Sequence, residues 1–236
     1  MDEQGAEMLI SAVIPVGGRH SDISALYQEY RSGLQQVGAR FELIFVIDGP
    51  HADVVDSLER IQRDDRSVVV VLLTRPFGEA TALMAGFQQA HGSIIMTLPA
   101  YYQIEASELP KLVAGLEMAD MAVARRQPRA GGMFERLRRS LFHGLVAWVT
   151  GLHYSDLGCG ARVFKKRVID EISLYGDQHR FLAVLANRQG FRVIEVDVHQ
   201  SPKDRFDGSY RVREYAHRVL DILTLLFLVR FTKKPL

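Results

Sequence analysis

Four short apolar runs, each followed by a stretch of helical periodicity, constrain this chain more than any single motif in it. Leu9–Val16 (LISAVIPV) reads as a buried strand from its apolar, β-branched content, and Gly17-Gly18 ends it. Ser21 or Asp22 then caps a helix that runs to about Val37. Phe41–Ile47 is a second strand, stopped by Asp48-Gly49-Pro50, and Asp53–Ile61 is helical. Ser67–Leu73, almost wholly Val and Leu, has the composition of a strand covered on both faces. After it, Ala80, Leu83, Met84 and Phe87 fall at i, i+3, i+4 and i+7, the stripe of an amphipathic helix that Gly92 closes. The fourth run, Ile94, Ile95, Met96 and Leu98, leads into Pro99-Ala100-Tyr101-Tyr102-Gln103. Strands alternating with helices predict an α/β fold built on a doubly wound, mostly parallel sheet. In such sheets ligands bind beyond the carboxyl ends of the strands, so a strand end such as the one at Pro99 is where chemistry is expected.

The second half is less regular. A helix from about Ser107 to Glu117 precedes a short strand, Met121–Ala124, which runs into Arg125-Arg126-Gln127-Pro128-Arg129. Phe134–Val149 is a long amphipathic helix, with Phe134, Leu137, Leu141, Leu145 and Trp148 along one face and Arg136, Arg138 and Arg139 near its start. Phe181–Arg188 is helical, Phe191–Val198 alternates as a strand does, Ser201–Tyr210 is a polar loop, and Arg211–Phe231 is a final helix. No stretch has linker composition, so the 236 residues are expected to form one domain. A formal net charge of +1 gives no global argument for nucleic acid as a partner. The single cysteine, Cys159, excludes an intrachain disulfide framework and fits a reducing compartment. MDEQGAEM lacks the basic and apolar regions of a signal peptide. Ile222–Val229 is too short to span a bilayer, but Arg230, Lys233 and Lys234 follow it, as suits a helix resting in a membrane interface or packing as core.

Six stretches in this order and spacing carry a resemblance: VIPV at 13–16, IDG at 47–49, RPFGEATALMAGFQQAHGS at 75–93, SDLGCGARVFKK at 155–166, LYGDQHRFL at 174–182 and GFRVIEVDV at 190–198. The chain resembles a family 2 glycosyltransferase of GT-A (Rossmann-like) fold, and within it the dolichol-phosphate mannose synthase-like and undecaprenyl-phosphate glycosyltransferases. The resemblance implies transfer of a sugar from a UDP- or GDP-linked donor to a polyprenyl phosphate, with inversion. It implies a nucleotide-binding half at about 8–124, an acceptor half at about 125–210 and an amphipathic C-terminal helix at about 211–236. It also implies a cytoplasmic protein peripheral on the inner face of a membrane. Assembly as a homo-oligomer is left open.

By the same resemblance, Pro15, Val16, Asp48, Arg75, Gly78, Ala100 and Gln103 lie beside the nucleotide sugar, and Lys203 and Arg205 close over its diphosphate. Arg126, Arg139 and Ser140 contact the acceptor phosphate, for which the planar guanidinium fork is suited. Asp156 aligns with the acceptor-side aspartate that orients or deprotonates the nucleophile; a lipid phosphate is already anionic, so little base is needed. Taken without the resemblance, Asp48 and Asp156 also read as turn aspartates bonding nearby backbone, and Arg75, Lys203 and Arg205 as solvated loop charges. The family's strand-four motif, Asp-Ala-Asp-Leu-Gln, holds Mg²⁺ or Mn²⁺ on the donor diphosphate. Here Pro99, Ala100, Tyr101, Tyr102 and Gln103 stand at those positions, and Gly17, Gly18, Arg19 and His20 replace the family's first-strand Tyr-Asn-Glu-Glu. No metal ligand is therefore assigned. Two readings follow: a transferase that neutralises the diphosphate with Arg126, Lys203 and Arg205, or an inactive pseudo-glycosyltransferase serving as a binding or regulatory subunit.

Overall fold

A computed structural model describes residues 8–128, 133–172 and 178–204, with backbone alone for 133–139 and 178. In chain order the elements are β1 (Leu9–Val16), α1 (Ile23–Val37), β2 (Arg40–Asp48), α2 (Ala52–Asp64), β3 (Val68–Leu73), α3 (Glu79–Gln89) and β4 (Ile94–Thr97). Then come α4 (Leu109–Ala114, with a turn of 3₁₀ helix at each end), β5 (Met121–Arg126), α5 (Met133–Thr150), β6 (Arg162–Lys165), α6 (Arg167–Asp170), α7 (Leu182–Arg188) and β7 (Val193–Val198). The seven strands form one sheet in the order β3-β2-β1-β4-β6-β5-β7. Every neighbouring pair is parallel except those made by β6, which runs antiparallel to both β4 and β5. The doubly wound, mostly parallel sheet expected from the sequence is the one found.

Alternation along the central strands divides the core in two. Ile10, Ala12, Ile14 and Val16 of β1 and Leu43, Phe45 and Ile47 of β2 face one apolar cluster, which α1, α2 and α4 cover. Val13, Ile44 and Val46 face the other, with Ala80, Leu83 and Phe87 of α3, Val146 of α5 and Leu182 of α7. Fully burying a side chain of this size contributes about 1.5–3 kcal/mol relative to leaving it exposed, so these paired faces fix the register of β1 and β2. Helix α1 begins where Asp22 Oδ1 accepts the Ala25 N–H at 2.8 Å and ends at Gly38, whose φ of 76° suits only glycine well.

Two expectations need correcting, and one strand has no counterpart among them. The Val/Leu run of β3 is not covered on both faces: the strand lies at the sheet edge, its middle residues are half-buried and Leu72 is 58% exposed. Apolar, β-branched composition marks strand propensity, which does not distinguish an edge from a centre. Gly92 does not close α3, which ends at Gln89 with Ala90 as its cap. Glycine stands at 92 because a Cβ there would lie 2.5 Å from the Leu9 carbonyl oxygen and 2.7 Å from Ser11 Oγ, to which the Gly92 N–H donates at 2.8 Å. Strand β6 was not anticipated; its four residues include Arg162 and Lys165 and show no clean alternation. The expected loop at 201–210 is described only to Asp204, and the helix expected at 211–231 lies outside the described residues.

Candidate active site at the carboxyl ends of β1, β2 and β4

β1 pairs with β2 on one side and β4 on the other, so the strand order reverses there and leaves a crevice beyond their carboxyl ends. Pro15 and Val16 end β1 at the mouth of this crevice, opposite Val46 and Ile47. Asp48 ends β2, and its two carboxylate oxygens accept the backbone N–H groups of Phe77 (2.7 Å) and Gly78 (2.9 Å). Asp48 thus holds the loop that starts α3 and satisfies two amides that a helix N-terminus would otherwise leave open. Gly78 adopts φ +96°, and Arg75 lies exposed with its guanidinium 4.9 Å from the Phe77 ring centre.

The loop after β4 is tied down from three directions. Tyr30, fully buried on α1, donates to the Pro99 carbonyl at 2.7 Å, and Ser21 N–H donates to the Ala100 carbonyl at 2.8 Å. Gln103 is buried; its Oε1 accepts the Gly160 N–H (2.7 Å) and its Nε2 donates to the Gly158 carbonyl (3.3 Å). Thr97 Oγ1 donates to the Gly160 carbonyl at 2.7 Å. The Pro99–Gln103 loop and the Asp156–Ala161 loop are therefore one cross-linked unit. Cys159 lies inside it, its thiol pushed by burial up to about 11.

A compact set of charges lies across that unit. Arg126 at the end of β5 donates from Nε to Asp156 Oδ2 (2.7 Å) and from Nη2 to Asp156 Oδ1 (2.9 Å), a bidentate pair whose side chains are 7% and 2% exposed. Burial works against the Arg126 charge, but the bonds it donates to Asp156, with the charge of that carboxylate, outweigh it and hold the guanidinium more firmly protonated than usual. Arg126 Nη1 lies 3.9 Å from Asp204 Oδ2. The Asp204 carboxylate, 2% exposed, also accepts from Arg19 Nη2 (3.1 Å) and Gln200 Nε2 (2.9 Å). The Arg19 guanidinium in turn lies over the Tyr101 ring, its carbon 3.7 Å from the ring centre. Burial raises the Tyr101 phenol to about 12 although the Arg19 charge pulls it down. Lys203 is directed away from this set, to Glu29 Oε2 (2.6 Å) and within 4.8 Å of the Tyr102 ring.

Pro15, Val16, Asp48, Gly78, Ala100 and Gln103 stand at the carboxyl ends of these strands or on the loops that follow, Ala100 and Gln103 buried there with the Gln103 amide committed to Gly158 and Gly160, and Arg126 pairs with Asp156 beside them. Ser140 is exposed on α5, and Arg139 lies on the same helix. Arg205 lies outside the described residues. Arg125 pairs instead with Asp197, at 2.8 Å from Nη2. Sequence reasoning did not select Arg19 or Asp204. The one signal for Arg19 was a basic residue standing where the family carries acidic ones; Asp204 gave none.

The chain belongs to glycosyltransferase family 2: the profile described as "Glycosyl transferase family 2" matches residues 11–173. It is 30% identical over 219 residues to the undecaprenyl-phosphate 4-deoxy-4-formamido-L-arabinose transferase of Proteus mirabilis, covering 92% of this chain and 67% of that protein. The protein of the same name from Edwardsiella ictaluri is 31% identical over the same length and shares. Among solved structures, a mannosyltransferase from Pyrobaculum calidifontis in complex with GDP-mannose and Mn²⁺ superposes with a TM-score of 0.65 at 17% identity, over 98% of this chain and 67% of that one. Glucosyl-3-phosphoglycerate synthase from Mycobacterium tuberculosis, with Mn²⁺, UDP-glucose and phosphoglyceric acid, gives 0.68 at 16% identity, over 94% and 79%. These two likenesses establish the GT-A-like fold.

The divalent cation usual in this family does not fit the side chains at strand four. Pro99 and Tyr101 carry no carboxylate, and Asp156 and Asp204 are each directed at arginine. Among the described residues no three acidic, histidine or cysteine side chains come together as a metal site.

Proposed function

We propose that this protein transfers a sugar from a nucleotide sugar to a polyprenyl phosphate, undecaprenyl phosphate being the acceptor its relatives are named for, and that arginines rather than a metal ion hold the phosphates. The observation that carries the reading is the buried Arg126–Asp156 pair beside the strand-end crevice, in a chain similar over 92% of its length to such transferases. In the reaction an acceptor phosphate oxygen attacks the anomeric carbon from the face opposite the leaving group. The bond from that carbon to the donor diphosphate breaks, and the nucleoside diphosphate leaves with the bonding pair. The nucleophile is already an anion, so no proton need be removed. Asp156 is then a positioning residue: it fixes the Arg126 fork and leaves Nη1 directed toward the crevice side at Asp204. Arg126 meets the acceptor phosphate, with Arg139 and Ser140 of α5 completing that subsite. Asp48 organises the nucleotide side by holding the 77–78 backbone.

Association with a membrane surface belongs to the same reading, because the acceptor is a lipid. No helix of the described residues is long and apolar enough to cross a membrane. Leu141, Leu145 and Trp148 are exposed on α5, whose sequence also carries Arg136, Arg138 and Arg139, a combination that suits an anionic lipid interface.

The test is turnover across a panel of UDP- and GDP-linked sugars with undecaprenyl phosphate in detergent micelles, in EDTA. The expected result is a sugar-linked lipid from at least one donor. A folded protein that turns over no donor, with or without Mn²⁺, would overturn the reading and leave the pseudoenzyme.

A further inference from the structure

The loop after strand four carries no carboxylate from Pro99 to Gln103, and a positive charge, that of Arg19, lies against it. Arg19 follows β1, Tyr101 follows β4, and these strands are neighbours, so the guanidinium and the ring meet across the crevice mouth at 3.7 Å. Stacking on the ring restrains the plane of the guanidinium and leaves its N–H edge for an oxyanion. That edge is engaged by Asp204. The Asp204 carboxylate is also approached by Gln200 Nε2 at 2.9 Å and Arg126 Nη1 at 3.9 Å, and it is only 2% exposed. A carboxylate ringed by two guanidinium groups and an amide is what an anion-binding site looks like when the chain's own anion fills it.

We propose that Arg19, supported by Tyr101, is a diphosphate-binding residue of this site, and that Asp204 occupies the place of the donor's diphosphate until the donor displaces it. The identity of the anion rests on the transferase reading; the anion site itself does not. The segment carrying Asp204 is joined to the β4 loop by the Ser201 N–H to Gln103 carbonyl bond (3.2 Å) and to α1 by Lys203–Glu29. Displacing one carboxylate exchanges a singly charged anion for a more highly charged one without bringing in new cations. A donor diphosphate thereby finds Arg19 already set against its ring, next to the Arg126 fork that Asp156 holds for the acceptor phosphate.

The experiment is calorimetry of inorganic pyrophosphate, UDP and GDP with the full chain in EDTA, comparing the parent with Arg19→Met and Asp204→Asn. The two substitutions are expected to act in opposite directions: Arg19→Met weakens diphosphate binding about tenfold or more, and Asp204→Asn tightens it several-fold by removing the competing charge. Tyr101→Leu, which removes the stacking surface alone, weakens it by a smaller factor. Unchanged affinity in Arg19→Met, or weaker binding in Asp204→Asn with an unaltered circular dichroism spectrum, would overturn the proposal. If pyrophosphate responds as described while no donor turns over, the anion site stands and the transferase reading falls. If sugar transfer in EDTA is unaffected by Arg19→Met, the reverse holds.

Discussion

Replacing Asp156 with asparagine is expected to reveal how much of this site is held by one ion pair. The carboxylate accepts two charge-assisted bonds from Arg126, at 2.7 and 2.9 Å, and both side chains are more than nine-tenths buried. Removing one member of such a pair strands its partner's charge, which commonly costs about 3–5 kcal/mol. Two features reduce the figure here. Asparagine keeps one acceptor oxygen, and Asp204 at 3.9 Å still faces Arg126. Together they bring the expected loss for Asp156→Asn to roughly 2–3 kcal/mol. Arg126→Met leaves Asp156 the longer 3.3 Å bond from the backbone N–H of residue 126 but removes the guanidinium, and should cost about 3 kcal/mol. The double variant Arg126→Met/Asp156→Asn removes both charges together and should lie closer to the parent than the sum of the two single changes, giving a coupling free energy of about 2 kcal/mol or more. Urea unfolding followed by far-ultraviolet circular dichroism measures all four proteins, with the slope of each transition checking that the unfolded states are comparable. Additive single effects, or a loss below about 0.5 kcal/mol in Asp156→Asn, would refute the claim that the pair is a buried, mutually dependent unit.

Three further outcomes follow from the same geometry. Tyr30→Phe removes the buried hydroxyl that donates to the Pro99 carbonyl at 2.7 Å and should cost about 1–2 kcal/mol in the same urea assay; an unchanged midpoint would mean the strand-four loop does not depend on that bond. Gly92→Ala places a Cβ 2.5 Å from the Leu9 carbonyl oxygen and 2.7 Å from Ser11 Oγ, so β1 or the turn must shift; a loss above about 2 kcal/mol is expected, and a melting temperature equal to the parent's would contradict it. Acid stability should depend on Asp65. Burial alone would raise its pKa, but bonds from Ser67, Tyr27 and Arg31 bring it down to about 2 from the usual 3.8. A depressed folded-state value stabilises above the unfolded value and is lost as the pH falls through the folded one, so the contribution is present above about pH 4 and gone near pH 2. Asp65→Asn should lower stability at neutral pH by up to about 2 kcal/mol and flatten the acid limb between those values; an acid limb identical to the parent's would remove Asp65 from the account.

Strands β1, β2 and β4 could be read from the sequence because each is an apolar run closed by Gly, Asp-Gly or Pro, and central strands must be apolar on both faces. The same reasoning misplaced β3, since Val-rich composition is equally compatible with an edge. It missed β6 because an inserted antiparallel strand of four residues, two of them cationic, has no period to detect. At the site, Arg126 and Asp156 were each singled out, but their pairing across 30 positions of sequence is a product of the sheet order that sets β5 beside the 156–161 loop. Arg19 lies where local pattern carries least information, in a Gly-Gly loop, and its meaning comes from Tyr101 some eighty residues on and Asp204 further still. Gln103 shows another limit. A polar residue at a strand end suggests a ligand, whereas this one spends its amide on Gly158 and Gly160 and fixes the shape of the loop.

The central claim is that arginines stand where the family places a metal ion, and calorimetry of UDP and GDP with the parent protein tests it most directly. The account predicts that one of the two nucleotides binds in EDTA and that its affinity changes less than about threefold when Mn²⁺ is added in excess. Binding that appears only after Mn²⁺ is added would contradict it.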